Sequence, residues 1–219
     1  HIWDKFGKLK SEDIVQGAPQ IDGFFIDKDC NAYVMVDKRK LIAGKHIPYA
    51  DEGNTTSLIK FTKGQKRRFV SIGGIIPLTP AAAPIRPQEL NDYWVENSEW
   101  MYGGIGFDGN PSGCSCWYTR FKLDYFARSI VPAPFLYEVH VLDSSGNLIL
   151  KIGQYGNEDS KGKNSKEPLG GDEVGLFHAM FVATDTDHRI FIADYGNTRI
   201  ISVKLKYVVD EILPIRFKK

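Results

Sequence analysis

Two cysteines one residue apart, Cys114 and Cys116, and a distant histidine, His178, are the side chains of this sequence best suited to holding a soft metal ion. Thiolate and imidazole are ligands of Zn²⁺ and of copper, and alternate residues of an extended segment point to one side. The pair lacks the two-residue gap of a structural zinc site and has no matching second pair. Two other readings therefore stay open: small buried side chains, or a disulfide to another chain. A Cys114–Cys116 bridge would strain an extended backbone. Cys30 reads as an incidental thiol in a turn, and no Cys-x-x-Cys-His run offers covalent haem attachment.

Other chemistry is thin. Asp27-Lys-Asp29-Cys-Asn31 and Asp185-Thr-Asp187 have alternating oxygens, but neither has the Gly and distal Glu of a calcium loop. Asp and Asn bond their own backbone in turns, and that reading is preferred. Gly103-Gly-Ile-Gly106 and Gly170-Gly171 are loop glycines, because neither opens a helix after a strand. No Ser-His-Asp grouping follows from spacing. His140 alternates with apolar neighbours in a strand, whereas His46 and His188 read as surface residues. Asn54-Thr55-Thr56 is a glycosylation sequon.

The elements that position these residues come from an internal repeat. Asp27–Val34, Asp124–Val131 and Asp185–Ile192 align without a gap: a strand ending in Asp, a tight turn, then an alternating apolar strand. Hairpins with glycine, Ile2–Leu9 and Val141–Leu148, alternate with these copies, and Leu58–Gly64 and Ile201–Leu205 hold the same place. About 42 residues separate Asp143 from Asp185, against ~40–45 for a four-stranded propeller blade. Ala127 and His188 stand where a turn glycine is usual, so those hairpins are expected to differ in backbone. Seven residues before each Asp stand Gln20, Trp117 and His178, at the mouth of the central channel if the repeats are blades. That makes these three the candidate ligand-binding residues, with Cys114 and Cys116 beside them.

The third copy, Leu176–Asp185 followed by Ile192-Ala-Asp194-Tyr-Gly-Asn197-Thr-Arg199-Ile200, resembles an NHL repeat. The first copy has Asp37-Lys-Arg39 and the second Pro132-Ala-Pro134 where that run belongs. The resemblance implies an all-β, NHL-like β-propeller, with about three blades visible of a six-bladed whole. It also implies that Asp194, Asn197 and Arg199 tie blades together, with Arg120 and Arg128 in similar roles. Some NHL-like propellers are metal-dependent lyases, with the metal held by channel histidines.

The chain of 219 residues, 42% hydrophobic and 12% aromatic, reads as a single unit over 1–219. A net charge of +1 gives no electrostatic case for nucleic acid, and no apolar run suits a membrane span. Lys66-Arg67-Arg68 reads as a solvated loop. Residues 65–117 read as a long insertion between blades: prolines 77, 80, 84 and 87 stiffen it, and aromatics follow. Trp94, Trp100 and Tyr102 are the candidate partner anchors there, and Arg86–Trp94 is the one candidate helix. The sequence starts inside a hairpin at His1, so a processed or truncated chain is expected, completed by a missing segment or another chain. The function expected is a non-catalytic interaction or assembly subunit, oligomeric and extracytoplasmic, with no resident cofactor. The alternatives are a metal-dependent lyase or hydrolase with Zn²⁺ or copper at the mouth, and a small-ligand or glycan binder.

Overall fold

Five turns of this chain share one design. An Asp at the end of a strand accepts, through Oδ1, the backbone N–H groups two and four residues on. Asp4, Asp27, Asp124, Asp143 and Asp185 all do so, at 2.8–3.0 Å. The residue three positions after each Asp is left-handed: Gly7 at φ 78°, Cys30 at 64°, Ala127 at 59°, Gly146 at 83° and His188 at 58°. The sequence expectation that Ala127 and His188 would change the backbone is therefore corrected. The twin bonds to a carboxylate outweigh the ~1–2 kcal/mol cost of a left-handed L-residue. In three of these turns the side chain of the residue four after the Asp also bonds the carboxylate, from Asn31, Arg128 and Asn147, and in all five the carbonyl of that residue accepts the Asp N–H.

The computed structural model describes residues 1–12, 14–47, 55–71, 87–107, 118–157 and 174–205. Strands β1 (Ile2–Trp3) and β2 (Leu9–Ser11) flank the Asp4 turn, and β3 (Ile21–Ile26) and β4 (Ala32–Val36) the Asp27 turn. The small hairpin of β5 (Leu41–Ile42) and β6 (Lys45–His46) precedes β7 (Thr56–Phe61). Strands β8 (Arg68–Ser71) and β9 (Tyr93–Glu96) pair with each other, and β10 (Ser98–Ile105) then returns to β7. The first large sheet is thus β10-β7-β4-β3.

The second large sheet runs in chain order: β11 (Lys122–Leu123), β12 (Ser129–Ala133), β13 (Glu138–Leu142) and β14 (Leu148–Ile152). A short parallel pair, β15 (Gln154–Tyr155) and β16 (Gly175–Leu176), leads to the third. That sheet holds β17 (Ala179–Thr184), β18 (Arg189–Asp194) and β19 (Arg199–Lys204). All pairs within the three large sheets are antiparallel. The fold is all-β.

The helix expectation fails on the segment around Pro87. No helix forms over the described residues 87–94: the backbone of Leu90 bonds that of Tyr93, and β9 begins at Tyr93. Leu90 is fully buried beside Leu41, whose N–H donates to Glu89 O, so tertiary packing overrides the local helix signal. Residues 98–105, within the expected insertion 65–117, are the edge strand of the first sheet. Arg67 is buried rather than solvated, with Nε donating to Thr62 O and Nη2 to Cys30 O. Prolines 77, 80 and 84 lie outside the described residues, as do Arg86 and Asn54.

The sheets stack face to face. Tyr33, Met35 and Leu58 of the first pack on Val131, Ala133 and Leu142 of the second. The opposite face of the first sheet, with Val34, Val36 and Ile59, packs on Phe69 and Val95 of the β8–β9 hairpin. Val139 and Val141 of the second pack on Ile190 and Ile192 of the third. Every residue of β4, β7 and β12 is consequently buried; β4 is a continuous apolar run, whereas β7 also buries Thr56, Ser57 and Lys60. Pro132 is tolerated in β12 because the β11 ladder ends at Ile130.

Most polar groups inside the stack are bonded among the described residues, the buried Ser129 hydroxyl of β12 being an exception. Lys60 and Trp100 of the first sheet both donate to Ser144 O of the second, at 2.9 and 3.0 Å, and Lys60 also pairs with Glu99. The Trp100 ring lies on Gly146, where an added Cβ would sit 2.6 Å from it. Tyr102 joins the same two sheets through its hydroxyl, 3.0 Å from His140 Nδ1. His140 Nε2 faces the Glu138 carboxylate at 2.7 Å. A carboxylate only accepts, so Nε2 carries the proton and Nδ1 accepts from Tyr102.

Three outcomes follow for stability. Asp124→Ala should cost about 1–3 kcal/mol by denaturant melting, through two lost charge-assisted bonds and the Arg128 ion pair. Cys30→Gly, at an exposed left-handed position, should instead stabilise by about 0.5–1 kcal/mol. Burial lowers the His140 pKa from 6.5, against the raising effect of Glu138, with Lys151 also lowering it. A histidine with a lowered folded pKa binds its proton more readily when unfolded, so stability should fall as pH drops below about 6.5. The slope of melting free energy against pH should be shallower in His140→Gln; an unchanged slope would remove His140 as its source.

Candidate functional site

At the end of the sheets opposite the Asp turns, the second and third sheets frame an aromatic cleft of 530 Å³. Its walls come from four places: Phe107 just after β10, Phe135 and Tyr137 after β12, Phe177 and His178 before β17, and Tyr195 after β18. Two single-turn 3-10 segments, Pro134–Leu136 and Tyr195–Asn197, turn the chain there, each followed by a left-handed residue, Tyr137 and Thr198. These turns occupy equivalent places in their sheets although their sequences differ.

Buried Asp194 fixes the third-sheet wall. Its Oδ1 accepts the N–H groups of Phe177 and His178 at 3.1 and 2.9 Å, and Oδ2 accepts Asn197 Nδ2 at 2.6 Å and Arg199 Nε at 3.3 Å. Asn197 also donates to Gly156 O at 2.8 Å, and Arg199 Nη2 donates to Gly175 O. The Tyr195 N–H donates to His178 O. One carboxylate thereby joins the segment leading into β17 to the turn after β18 and to the β15–β16 connection. Gly196 permits the approach: an added Cβ would lie 2.3 Å from the Phe177 ring.

The rings support one another, edge to face except for Phe107 and Phe135, whose planes are tilted by 34°. Phe107 lies 5.4 Å from both Phe135 and His178, and Tyr155 lies 4.9 Å from Tyr137 and 6.2 Å from Phe177. Phe177 and Tyr195 remain 42% and 57% exposed. Burial lowers the His178 pKa more than the Asp194 charge raises it, so the imidazole is neutral at pH 7. No Asp, Glu, Lys or Arg lines the cleft among the described residues.

The residues singled out in the sequence fall in several places. His178 lies in this cleft. Gln20 is exposed at the start of β3, its carbonyl accepting the Asp37 N–H. Cys114, Cys116 and Trp117 lie outside the described residues. No cluster of three or more His, Cys, Asp or Glu suited to a metal occurs among the described residues. Trp100 and Tyr102 are engaged between sheets, and Trp94 is half-buried in β9. Arg120 lies 3.8 Å from buried Asp22, and its N–H donates to Met180 O. Sequence reasoning missed Phe107, Phe135, Tyr137, Phe177 and Tyr195. The available signal was that Phe135–Tyr137 and Tyr195–Asn197 follow the same strand in successive repeats.

A second unusual surface is the outer face of the third sheet. Cross-strand registry sets Phe181 beside Ala193 and Ile200, and Ala183 beside Phe191 and Ser202. Phe181 and Ile200 are 45% and 75% exposed, whereas the inner face of the same strands is packed on the second sheet. No helix among the described residues is long and apolar enough to cross a membrane.

No family model matches the chain, and no curated protein matches it. Among solved structures it is similar to a protein of unknown function from Bacteroides caccae, at 8% identity, covering 91% of this chain and 69% of that chain. The TM-score is 0.28, a likeness that bears on neither mechanism nor ligand.

Proposed function

We propose that this protein is a non-catalytic assembly subunit and that its stacked sheets are successive blades of an NHL-like β-propeller arc. The carrying observation is a contrast in burial. Strands β4, β7 and β12 are buried on both faces, whereas β19 alternates half-buried and exposed residues along its whole length. The outer face of the third sheet sets Phe181, Ala193 and Ile200 in one row yet lies open, with Ser202, Arg189 and Lys204 toward its Asp185 end. Exposed contiguous apolar surface of this kind marks an interaction site.

The occupant proposed is a sheet of a second copy. Phe181, Ala193 and Ile200 make a large-small-large row, and Ala183, Phe191 and Ser202 make a small-large-small row. Such rows interdigitate when two copies meet about a two-fold axis. A net charge of +1 leaves little repulsion to oppose the pairing. The Asp194–Asn197–Arg199 network supports the NHL-like reading, because it ties the third sheet to the segment leaving the second.

Sedimentation velocity over a range of concentrations tests this directly. The wild-type chain should populate a dimer, and Phe181→Asp/Ile200→Asp should weaken it about a hundredfold or more, since unpaired carboxylates would be buried. Both side chains are exposed in the single chain, so the variant should keep the melting temperature of the monomer. A wild-type monomer at all concentrations, or a dimer indifferent to the double substitution, would overturn the proposal.

A further inference from the structure

We propose that the aromatic cleft between the second and third sheets is a binding site for a neutral saccharide. The inference is independent of the assembly reading, because the cleft residues and the open face of the third sheet are different surfaces.

Three features set the ligand class. The first is charge. Among the described residues Phe107, Phe135, Tyr137, Phe177, His178 and Tyr195 bring no formal charge, so against these walls an anionic or cationic ligand would be desolvated without a counter-charge. Asp194 does not supply one, because its carboxylate is fully buried and committed to Phe177, His178, Asn197 and Arg199.

The second is the mixture of surfaces. Phe177 and Tyr195 present half-exposed rings, while Tyr137 and Tyr195 are the hydroxyl-bearing residues of the same lining. A pyranose has one face of C–H groups, which suits the negative face of an aromatic ring, and a rim of hydroxyls that need polar partners. A wholly apolar ligand would call instead for an enclosed, dry pocket, and this cleft keeps its rings partly in water.

The third is preorganisation. The wall backbone is held before any ligand arrives: Asp194 fixes the Phe177 and His178 amides, and Gly196 lets the Tyr195 turn close onto Phe177. A fixed wall loses little conformational entropy on binding. Asp194 is in this sense a positioning residue, acting on the ligand only through the two amides it holds. A volume of 530 Å³ falls within the range of small-molecule sites.

The test is isothermal titration calorimetry of the full chain against maltohexaose, cellohexaose and xylohexaose, with an oligogalacturonate of equal length as the charged control. At least one neutral hexasaccharide should bind, and more tightly than the charged control. Phe177→Ala and Tyr195→Ala should each weaken that binding about tenfold or more. Tyr195→Phe should keep part of it, separating ring from hydroxyl. Thermal melts establish that each variant is folded, and the exposed Tyr195 is the safer substitution should Phe177→Ala unfold. Phe181→Asp/Ile200→Asp should bind the saccharide like the wild type, so failure of assembly and failure of the cleft are told apart. Three results would overturn the proposal. They are no binding of any neutral hexasaccharide at millimolar concentration, binding unchanged in both alanine variants, or tighter binding of a synthetic Ile76–Pro87 peptide, which would make the cleft a proline-rich peptide site.

Discussion

A strand buried on both faces favours side chains that are apolar or bonded, and most of this structure depends on that constraint, the buried Ser129 hydroxyl of β12 being an exception. It explains why β4 reads Ala-Tyr-Val-Met-Val and why the polar members of β7 are all tied down. Thr56 donates to Ile105 O, Ser57 to Lys38 O, and Lys60 to Glu99 and Ser144. Burying an ammonium without such partners would cost several kcal/mol. The same constraint fixes register, because a slip of one residue would exchange the faces of Tyr33 and Val34 and mismatch both neighbouring layers at once.

Stacking also makes the connections between sheets matter as much as the sheets. At the turn end, Ser144 O collects donors from Lys60 and Trp100 while Gly146 gives the indole room. At the other end, the Gly106 N–H donates to Pro132 O and Asp194 gathers four donors around the cleft. The clamp that holds the third sheet to its neighbour is thus the clamp that sets the cleft wall. A change at Asp194 acts on stability and on the cleft together, because the Phe177 and His178 amides would lose the buried carboxylate that accepts from them.

Much of this was legible in the sequence, for reasons that particular residues make plain. The Asp turns were visible because a carboxylate bonding amides two and four residues on needs only an Asp and local geometry. Strands β12 and β18 were visible through their apolar runs. The turn residue was misread, because Ala127 and His188 look wrong for a left-handed position until the strength of the Asp bonds is counted. The helix signal over 87–94 failed because burial of Leu90 beside Leu41 is a long-range fact. Strand β10 was hidden because its partner, β7, is separated from it by the β8–β9 hairpin. The cleft was half legible: the repeat alignment found His178, but the aromatic residues around it are gathered from four places in the chain and share no local pattern.

The most direct measurement of the central claim is amide hydrogen exchange of the third sheet at low and high protein concentration. If its outer face is closed by a second copy, the amides of β17–β19 gain protection as concentration rises, while those of β4 and β12, already enclosed, stay constant. Exchange in β17–β19 that is fast and independent of concentration would contradict the account, and would mean that this sheet face remains open to water.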